Sequence, residues 1–497
     1  MAPLSVLLTT EGTYPYHKGG VSTWCDALTR QLGEVNFRLM ALAMHPYLKQ
    51  SYSLHPNVTQ LVTVPLWGIE QATEFRYESP FSTLLDRRWR TSNAIIEQRF
   101  VPAFEGFLRG VVDPSVPVEV VAAGLIEMYD YFQEFDYDTS FRSEAAWDTV
   151  VRTLSFSDSR DGAPPLIPAV GEIVGSLRLL CNLLQPLALP VPRCDVSHSS
   201  AAAFCGLPCI VAKLKYGVPF LLTEHGVYVR EQYLALRRSI ESPFIRHFMC
   251  RLVNRIASLN YRYADLVSPV CGYNARWEEW WGVPRSRIRV IFNGADPERF
   301  SPGPPKPSGR PVVCTIGLIY PLKGQLDLIA AAALVRDQVA DVEFRLYGAP
   351  TDEEYFQVCR RRVAELGLQN TVSFAGQTST PWEVLREADV VAMTSVSEGF
   401  PYSIIEAMLT GSAIVATDVG GVREALADTG VLAPPRQPRE IADAIVMLLQ
   451  SPEKRRNLGA AARARALQCF SEQTFADGYR QAYQDLVSRD TQLAHAS

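Results

Sequence analysis

The chain has 497 residues, 47% of them hydrophobic and 20% charged, with a formal net charge of −5. This balance excludes a largely disordered or fibrous chain and provides no global positive field to attract nucleic acid. At about 100–200 residues per domain, the length predicts two to four domains.

The chain opens on MAPLSVLLTTEG, which has no basic stretch and turns polar after Leu8. It reads as a first core strand, Ser5–Thr9, and not as a signal peptide. Phe37–Ala43 and Val58–Val64 are the next apolar, β-branched runs. From about 70 to 190 the pattern is less regular and rich in aromatic and acidic residues, as in Glu127–Tyr137 (EMYDYFQEFDY), with a surface loop at Ser155–Pro168. A mostly helical insertion is expected there. The longest apolar stretch, Ser199–Leu222, is cut by Lys213, Lys215 and two prolines, so no membrane span is predicted. A soluble, cytoplasmic protein is expected, with the inner membrane face as a peripheral location. Phe220–Thr223, Leu266–Pro269 and Arg289–Phe292 are further candidate strands. Arg237/Arg238 and Arg251/Arg255 read as an ordinary solvated face in preference to a basic face for a membrane-bound partner, and Trp277, Trp280 and Trp281 as helical core packing in preference to an interface patch.

Ser301–Arg310 (SPGPPKPSGR) holds four prolines and two glycines in ten residues and reads as a linker. Behind it the alternation restarts with strands Val312–Ile316, Val342–Leu346, Val390–Met393 and Ala413–Thr417, and with the amphipathic helix Arg439–Gln450. Phe470–Val487 carries Phe475, Tyr479, Ala482, Tyr483 and Leu486 at helical spacing, which predicts a closing helix packing back on the first domain. The last ten residues are polar and expected to fray. The predicted domains are thus 1–300 with the insertion, 311–470, and a terminal helix and tail over 471–497. The βαβα rhythm predicts an α/β fold of two Rossmann-like domains. Ligands of such sheets bind beyond the carboxyl ends of the strands, so the domains are expected to face a central cleft. The ten cysteines are scattered; the only close pair, Cys205/Cys209, lacks zinc-like spacing.

The strongest chemical signal is Ser395–Met408 (SVSEGFPYSIIEAM), where a strand runs into a loop with Glu398 and a helix start carries Glu406. A loop followed by a helix start can aim both carboxylates at one bound molecule. Free N–H groups at a helix start suit an anion, and carboxylates suit sugar hydroxyls. Spacing alone fits equally well a solvated loop glutamate and one that favours the helix dipole.

Glu398-x7-Glu406 in the context SEGFP…EAM resembles the signature of the family 4 retaining glycosyltransferases of GT-B fold. Ala416–Glu424 (ATDVGGVRE), Gly430–Pro435 (GVLAPP), Ile291–Asp296 (IFNGAD) and Gly317–Gly324 (GLIYPLKG) match accompanying segments in order. Glu11–Val21 (EGTYPYHKGGV), Phe141–Trp147 (FRSEAAW) and Thr223–Gly226 (TEHG) resemble the PelF-like branch, whose type member is a soluble UDP-glucose-using transferase of bacterial exopolysaccharide synthesis.

The resemblance implies a metal-independent hexosyltransferase that uses no cofactor beyond its nucleotide-sugar donor, UDP-glucose. Its acceptor is a glycan or lipid-linked sugar, and a membrane-bound polysaccharide synthase is an implied partner. It implies catalytic roles for His225, Lys323 and Glu398. Donor binding falls to Gly19, Gly20, Lys323 and the run Glu398, Gly399, Phe400, Pro401, Tyr402, Ser403, Ile404, Ile405 and Glu406. Lys323 neutralises the leaving diphosphate, Glu406 holds the ribose, Glu398 the transferred sugar, and N–H groups between Phe400 and Ser403 orient that sugar. Glu224, Arg230 and Glu231 are further contact candidates. Leu318 departs from the pattern, which has Arg there; Lys18, Arg230 and Arg423 are the candidate replacements. Two alternatives stay open: a non-catalytic GT-B subunit scaffolding a polysaccharide synthase, which Leu318 favours, and a nucleotide-sugar epimerase.

Overall fold

A computed structural model of the chain describes residues 3–69, 80–155, 166–304 and 309–496, with side chains up to 488. Most of the predicted Ser155–Pro168 loop, the middle of the predicted linker and the side chains of the polar tail lie outside the described residues.

The chain divides into two units, 1–268 with 277–289 and 480–497, and 269–276 with 290–479. The sequence-based boundary at 300 therefore falls inside the second unit. Residues 290–300 join that unit because the Phe292 ring packs against Phe400 and Phe470, and Ala295 N–H donates to the Phe470 carbonyl at 3.0 Å.

The first unit is built on strands β1 (Ser5–Glu11), β2 (Asn36–Ala43), β3 (Val58–Pro65), β4 (Val196–Ser199), β5 (Phe220–Glu224) and β6 (Leu266–Pro269). Their order is β3-β2-β1-β4-β5-β6. The second unit has β7 (Val312–Ile316), β8 (Glu343–Tyr347), β9 (Val372–Gly376), β10 (Val390–Met393), β11 (Ile414–Thr417) and β12 (Val431–Ala433), in the order β12-β11-β10-β7-β8-β9. Both sheets are parallel. Both reverse direction in the middle, at β1/β4 and at β7/β10, which is the Rossmann order. The fully buried strand β10 (VVAM) reads as a continuous apolar run, as expected where helices cover both faces.

Three strands are absent from the sequence prediction. β4 (VSHS) escapes because its polar side chains find tertiary partners: His198 bonds Thr223 and Tyr483 at 2.8 and 2.7 Å, and Ser197 Oγ donates to the Pro219 carbonyl. β9 and β12 are short edge strands at opposite ends of their sheet. Arg289–Phe292, predicted as a strand, is instead an extended crossing segment that follows β6, with Arg289 N–H donating to Val267 and Ile291 N–H to Pro269.

The described residues between β3 and β4 are mostly helical, with Phe81–Arg90, Val101–Val112, Val118–Glu134, Glu144–Ser155 and Val170–Leu183 as the longer helices. It shares one core with the sheet. An aromatic cluster holds it: Phe100 lies within 5.6 Å, centroid to centroid, of Phe104, Tyr131, Phe132 and Phe141. Arg255 corrects its expected place on a solvated face. It is buried, and its guanidinium donates to the carbonyls of Gly110, Asp113 and Val116, joining Pro243–Tyr263 to the end of Val101–Val112. Trp280 is likewise exposed and not in the core, while Trp281 stacks on Tyr261. The closing helix runs Glu472–Ala496. Among the described residues no helix is long and apolar enough to cross a membrane.

Phe100→Ala should cost the first unit roughly 3–5 kcal/mol, the range for truncating a buried phenylalanine. A fall in the denaturant midpoint of that unit's transition measures it; an unchanged midpoint contradicts the central role of the cluster.

Candidate functional site

In the second unit the two chemically loaded loops leave adjacent strands. The Gly317–Gly324 loop follows β7, and Thr394–Pro401 follows β10, the strand paired with β7. This is the topological switch point, where no crossover covers the strand ends. Val396 N–H donates to the Leu322 carbonyl at 2.8 Å, and Thr394 Oγ1 to the Gly324 carbonyl at 3.0 Å, so the loops are bolted together.

That framework brings Lys323 Nζ to 2.6 Å from Glu398 Oε1, with both side chains mostly buried. The same oxygen accepts from Ser395 Oγ at 2.6 Å. Burial pulls the Lys323 pKa down, but the Glu398 carboxylate outweighs it, and the ammonium ends above the ordinary lysine range. Glycines fix the carboxylate's loop. Gly420 has φ +57°, and a Cβ there would lie 1.8 Å from the Glu398 carbonyl oxygen. Gly421 N–H donates to the Gly399 carbonyl at 2.8 Å. Gly324 also has positive φ, and its Cβ would lie 2.1 Å from the Thr394 carbonyl oxygen.

Helix Tyr402–Leu409 starts at Pro401 and carries Glu406. Glu406 is only partly exposed; burial raises its pKa to about 7, with the Arg299 guanidinium pulling the other way. Phe400, Ile404 and Ile405 point into the core, so among the predicted donor-binding run these three have only their backbone to offer a ligand. The flanking motifs have structural tasks: Asn293 Nδ2 donates to the Phe400 carbonyl at 2.8 Å, and Glu424 accepts from Gly272 N–H at 2.7 Å. Leu318 is 41% exposed. Arg423 forms an exposed ion pair with Asp418.

In the first unit, Gly19 and Gly20 are exposed where the β1 loop enters helix Gly20–Gln31. A Cβ on either would meet nothing within 4 Å. That helix carries Trp24, whose ring lies 4.9 Å from His225 and 5.3 Å from His198. The glycine loop and His225, which follows β5, are thus tied together through Trp24. Burial lowers the His225 pKa to about 3, so the imidazole is neutral near pH 7, and its Nε2 meets no hydrogen-bond partner among the described residues. Glu224 corrects the expectation of a ligand contact: it is buried, with Oε1 accepting from Ala202 N–H and Oε2 from the Tyr261 hydroxyl, both at 2.8 Å. Burial raises its pKa to about 7, as it does for Glu11, which accepts from Cys205 N–H at 3.1 Å. Glu278 is buried, and neither of its oxygens has a hydrogen-bond partner among the described residues. Burial, reinforced by Glu224, pushes its pKa to about 9.

Ser395, Asn293, Gly420 and Glu424 are functional supports that sequence reasoning did not assign. Each lies inside a recognised motif, but its partner is set only by folding.

Residues 4–286 match the family model described as Domain of unknown function (DUF3492), and residues 296–465 match Glycosyl transferases group 1. The chain is 34% identical over 221 residues to a D-inositol 3-phosphate glycosyltransferase of Nocardia farcinica, covering 41% of this chain and 49% of that protein. It is 30% identical over 321 residues to the D-inositol 3-phosphate glycosyltransferase of Pseudarthrobacter chlorophenolicus, covering 59% and 72%. The chain spans about half the length of the first of these relatives. Among solved structures it is similar to Anabaena HepE in complex with UDP-glucose, at a TM-score of 0.57 and 16% identity over 98% of this chain and 100% of that one. The fold is GT-B.

Gly420→Ala should destabilise the second unit by roughly 1–3 kcal/mol, the cost of a strained backbone position, read as a lower denaturant midpoint. Glu278→Gln should change stability with pH. A carboxyl with a raised folded pKa binds more protons folded than unfolded, so its contribution is full below about 4.5 and lost as pH rises toward about 9. The variant's Tm should therefore pull ahead of wild type between pH 5 and 9; parallel Tm curves contradict this.

Proposed function

The chain belongs to the DUF3492 family, with a group 1 glycosyl transferase domain at residues 296–465, and from that premise we propose that it is a retaining, metal-independent hexosyltransferase of the PelF-like branch, working in exopolysaccharide synthesis. The donor is a UDP-sugar, UDP-glucose in the first instance, and the acceptor a glycan or lipid-linked sugar. The observation that carries this reading is the Lys323–Glu398 pair at the switch point, with Glu406 on the helix that starts beside it. UDP-glucose bound to the fold relative HepE supports the choice of donor.

Lys323 and Glu398 satisfy each other in the unliganded chain. An arriving diphosphate takes Lys323 by charge-assisted hydrogen bonding, which frees Glu398 to accept sugar hydroxyls. Lys323 then stabilises the charge that develops on the leaving diphosphate as the glycosidic C–O bond breaks. N–H groups at the start of Tyr402–Leu409 add to this, and Glu406 accepts from the ribose hydroxyls. Nothing in the fold requires glycine at 19 or 20, which suits the close approach of a ligand to the backbone. Neutral His225 contacts the donor sugar and does not serve as an acid at neutral pH. The acceptor hydroxyl attacks on the face the diphosphate leaves and passes its proton to the departing phosphate oxygen, and this same-face attack retains the anomeric configuration.

Glu398→Ala and Lys323→Ala should each slow UDP release from UDP-glucose in the presence of acceptor by roughly 100-fold or more, the scale of one transition-state contact. Near-normal turnover in both purified variants sinks the assignment. UDP-glucose affinity should rise from pH 6 to 8 as Glu406 ionises through about 7, and Glu406→Gln should flatten that profile. Leu318 favours a second reading, a nucleotide-binding or scaffolding subunit. Titration with UDP, GDP and ADP together with the turnover assay separates the readings: no nucleotide binding supports a scaffold, nucleotide binding without UDP release a non-catalytic subunit, and an epimerised sugar an epimerase.

A further inference from the structure

The helical layer between β3 and β4 lines a half-open cavity of about 520 Å³ that contains none of the predicted donor residues. Its volume lies in the range of ligand sites, roughly 300–1,000 Å³. Trp67, just beyond β3, forms one wall; Asp138 and Arg142 come from the short helical turn before Glu144–Ser155; Arg178, Asn182 and Gln185 come from the end of Val170–Leu183 and the turn after it.

Two features mark it as a built site. Gln185 is 4% exposed and lines the cavity, and its amide hydrogen-bonds to no described residue. Arg178 makes no ion pair with a described residue, while Arg142 stands 3.9 Å from Asp138. A neighbouring hollow of about 410 Å³ shares Asp138 and Arg142 and adds Arg88, Asp136 and Glu144. Across both hollows three arginines meet three carboxylates, so the surface offers dense hydrogen bonding without net charge.

That chemistry suits a neutral polyhydroxylated ligand better than a polyanion. Sugar hydroxyls donate and accept in adjacent pairs, which planar two-headed groups such as Asp, Asn, Gln and Arg match. The apolar C–H face of a pyranose packs on an aromatic ring such as Trp67. We propose that this cavity, with Trp67, Arg178, Asn182 and Gln185 as its main contacts, binds an uncharged saccharide chain and serves as a remote acceptor subsite. Its role as an acceptor site rests on the transferase reading above; its saccharide binding does not. A site of this kind holds acceptor units away from the reacting end and lends binding energy to an elongated glycan.

Calorimetric titration of the full chain with cellohexaose, maltohexaose, chitohexaose and hexagalacturonate tests it, with UDP titrated in parallel. At least one neutral hexasaccharide should bind. Arg178→Ala/Asn182→Ala should weaken that binding tenfold or more with UDP affinity unchanged, and Asn182→Trp, which fills the cavity, should abolish it. Binding of none of the neutral oligosaccharides, equal binding by the variants, or binding of hexagalacturonate alone overturns the proposal. Saccharide binding without any UDP binding retains the cavity as a saccharide site and removes the transferase reading instead.

Discussion

Everything chemical in the second unit depends on one constraint, the reversal of strand order between β7 and β10. In a parallel sheet the helices after these two strands must leave on opposite faces, so the loops at their carboxyl ends meet with nothing between them. Lys323 and Glu398 lie 75 residues apart in the chain and 2.6 Å apart in space for this reason. The contact in turn depends on backbone that only glycine permits, at Gly324 and Gly420, and on the Val396–Leu322 and Thr394–Gly324 bonds that hold the loops in register. The first unit repeats the order, with the glycine loop leaving β1 at its own reversal and His225 following β5, one strand beyond.

The units solve the burial of ionisable groups differently. In the second, the Lys323 ammonium has the Glu398 carboxylate as its partner, and the Ser395 hydroxyl adds a further bond to that carboxylate. Removing either one leaves a largely buried charge without compensation, the costly situation for an ion pair. In the first, His198, His225, Glu11, Glu224 and Glu278 have little opposite charge around them, and burial pushes each toward its neutral form. A neutral histidine and protonated carboxyls still donate and accept hydrogen bonds, so the region remains polar without presenting a field.

Much of the architecture was legible before folding. β1, β2, β5, β7 and β10 announce themselves as short apolar runs, and the insertion by its helical length and aromatic content. What stayed hidden follows a pattern. β4 is made of Val, Ser and His and becomes a strand only because Thr223, Tyr483 and Pro219 supply partners for it. Arg255 looks like a surface cation in its helix and turns out to satisfy three carbonyls of a distant helix end. Glu224, beside His225 in a motif, points away into Ala202 and Tyr261. In each case the deciding partner lies far along the chain, and local periodicity carries no information about it.

The sequence by itself determined the two-sheet α/β plan, the helical insertion and the short list of candidate site residues, because these depend on local periodicity and on motifs contiguous in the chain. Only the tertiary structure decided that Lys323 and Glu398 are partners, that Phe400, Ile404 and Ile405 are core, that Arg423 pairs with Asp418, and that Trp67 and Gln185 share a cavity. Those outcomes depend on which strand ends lie side by side and which side chains burial forces to pair. They are properties of packing, which no window along the sequence contains.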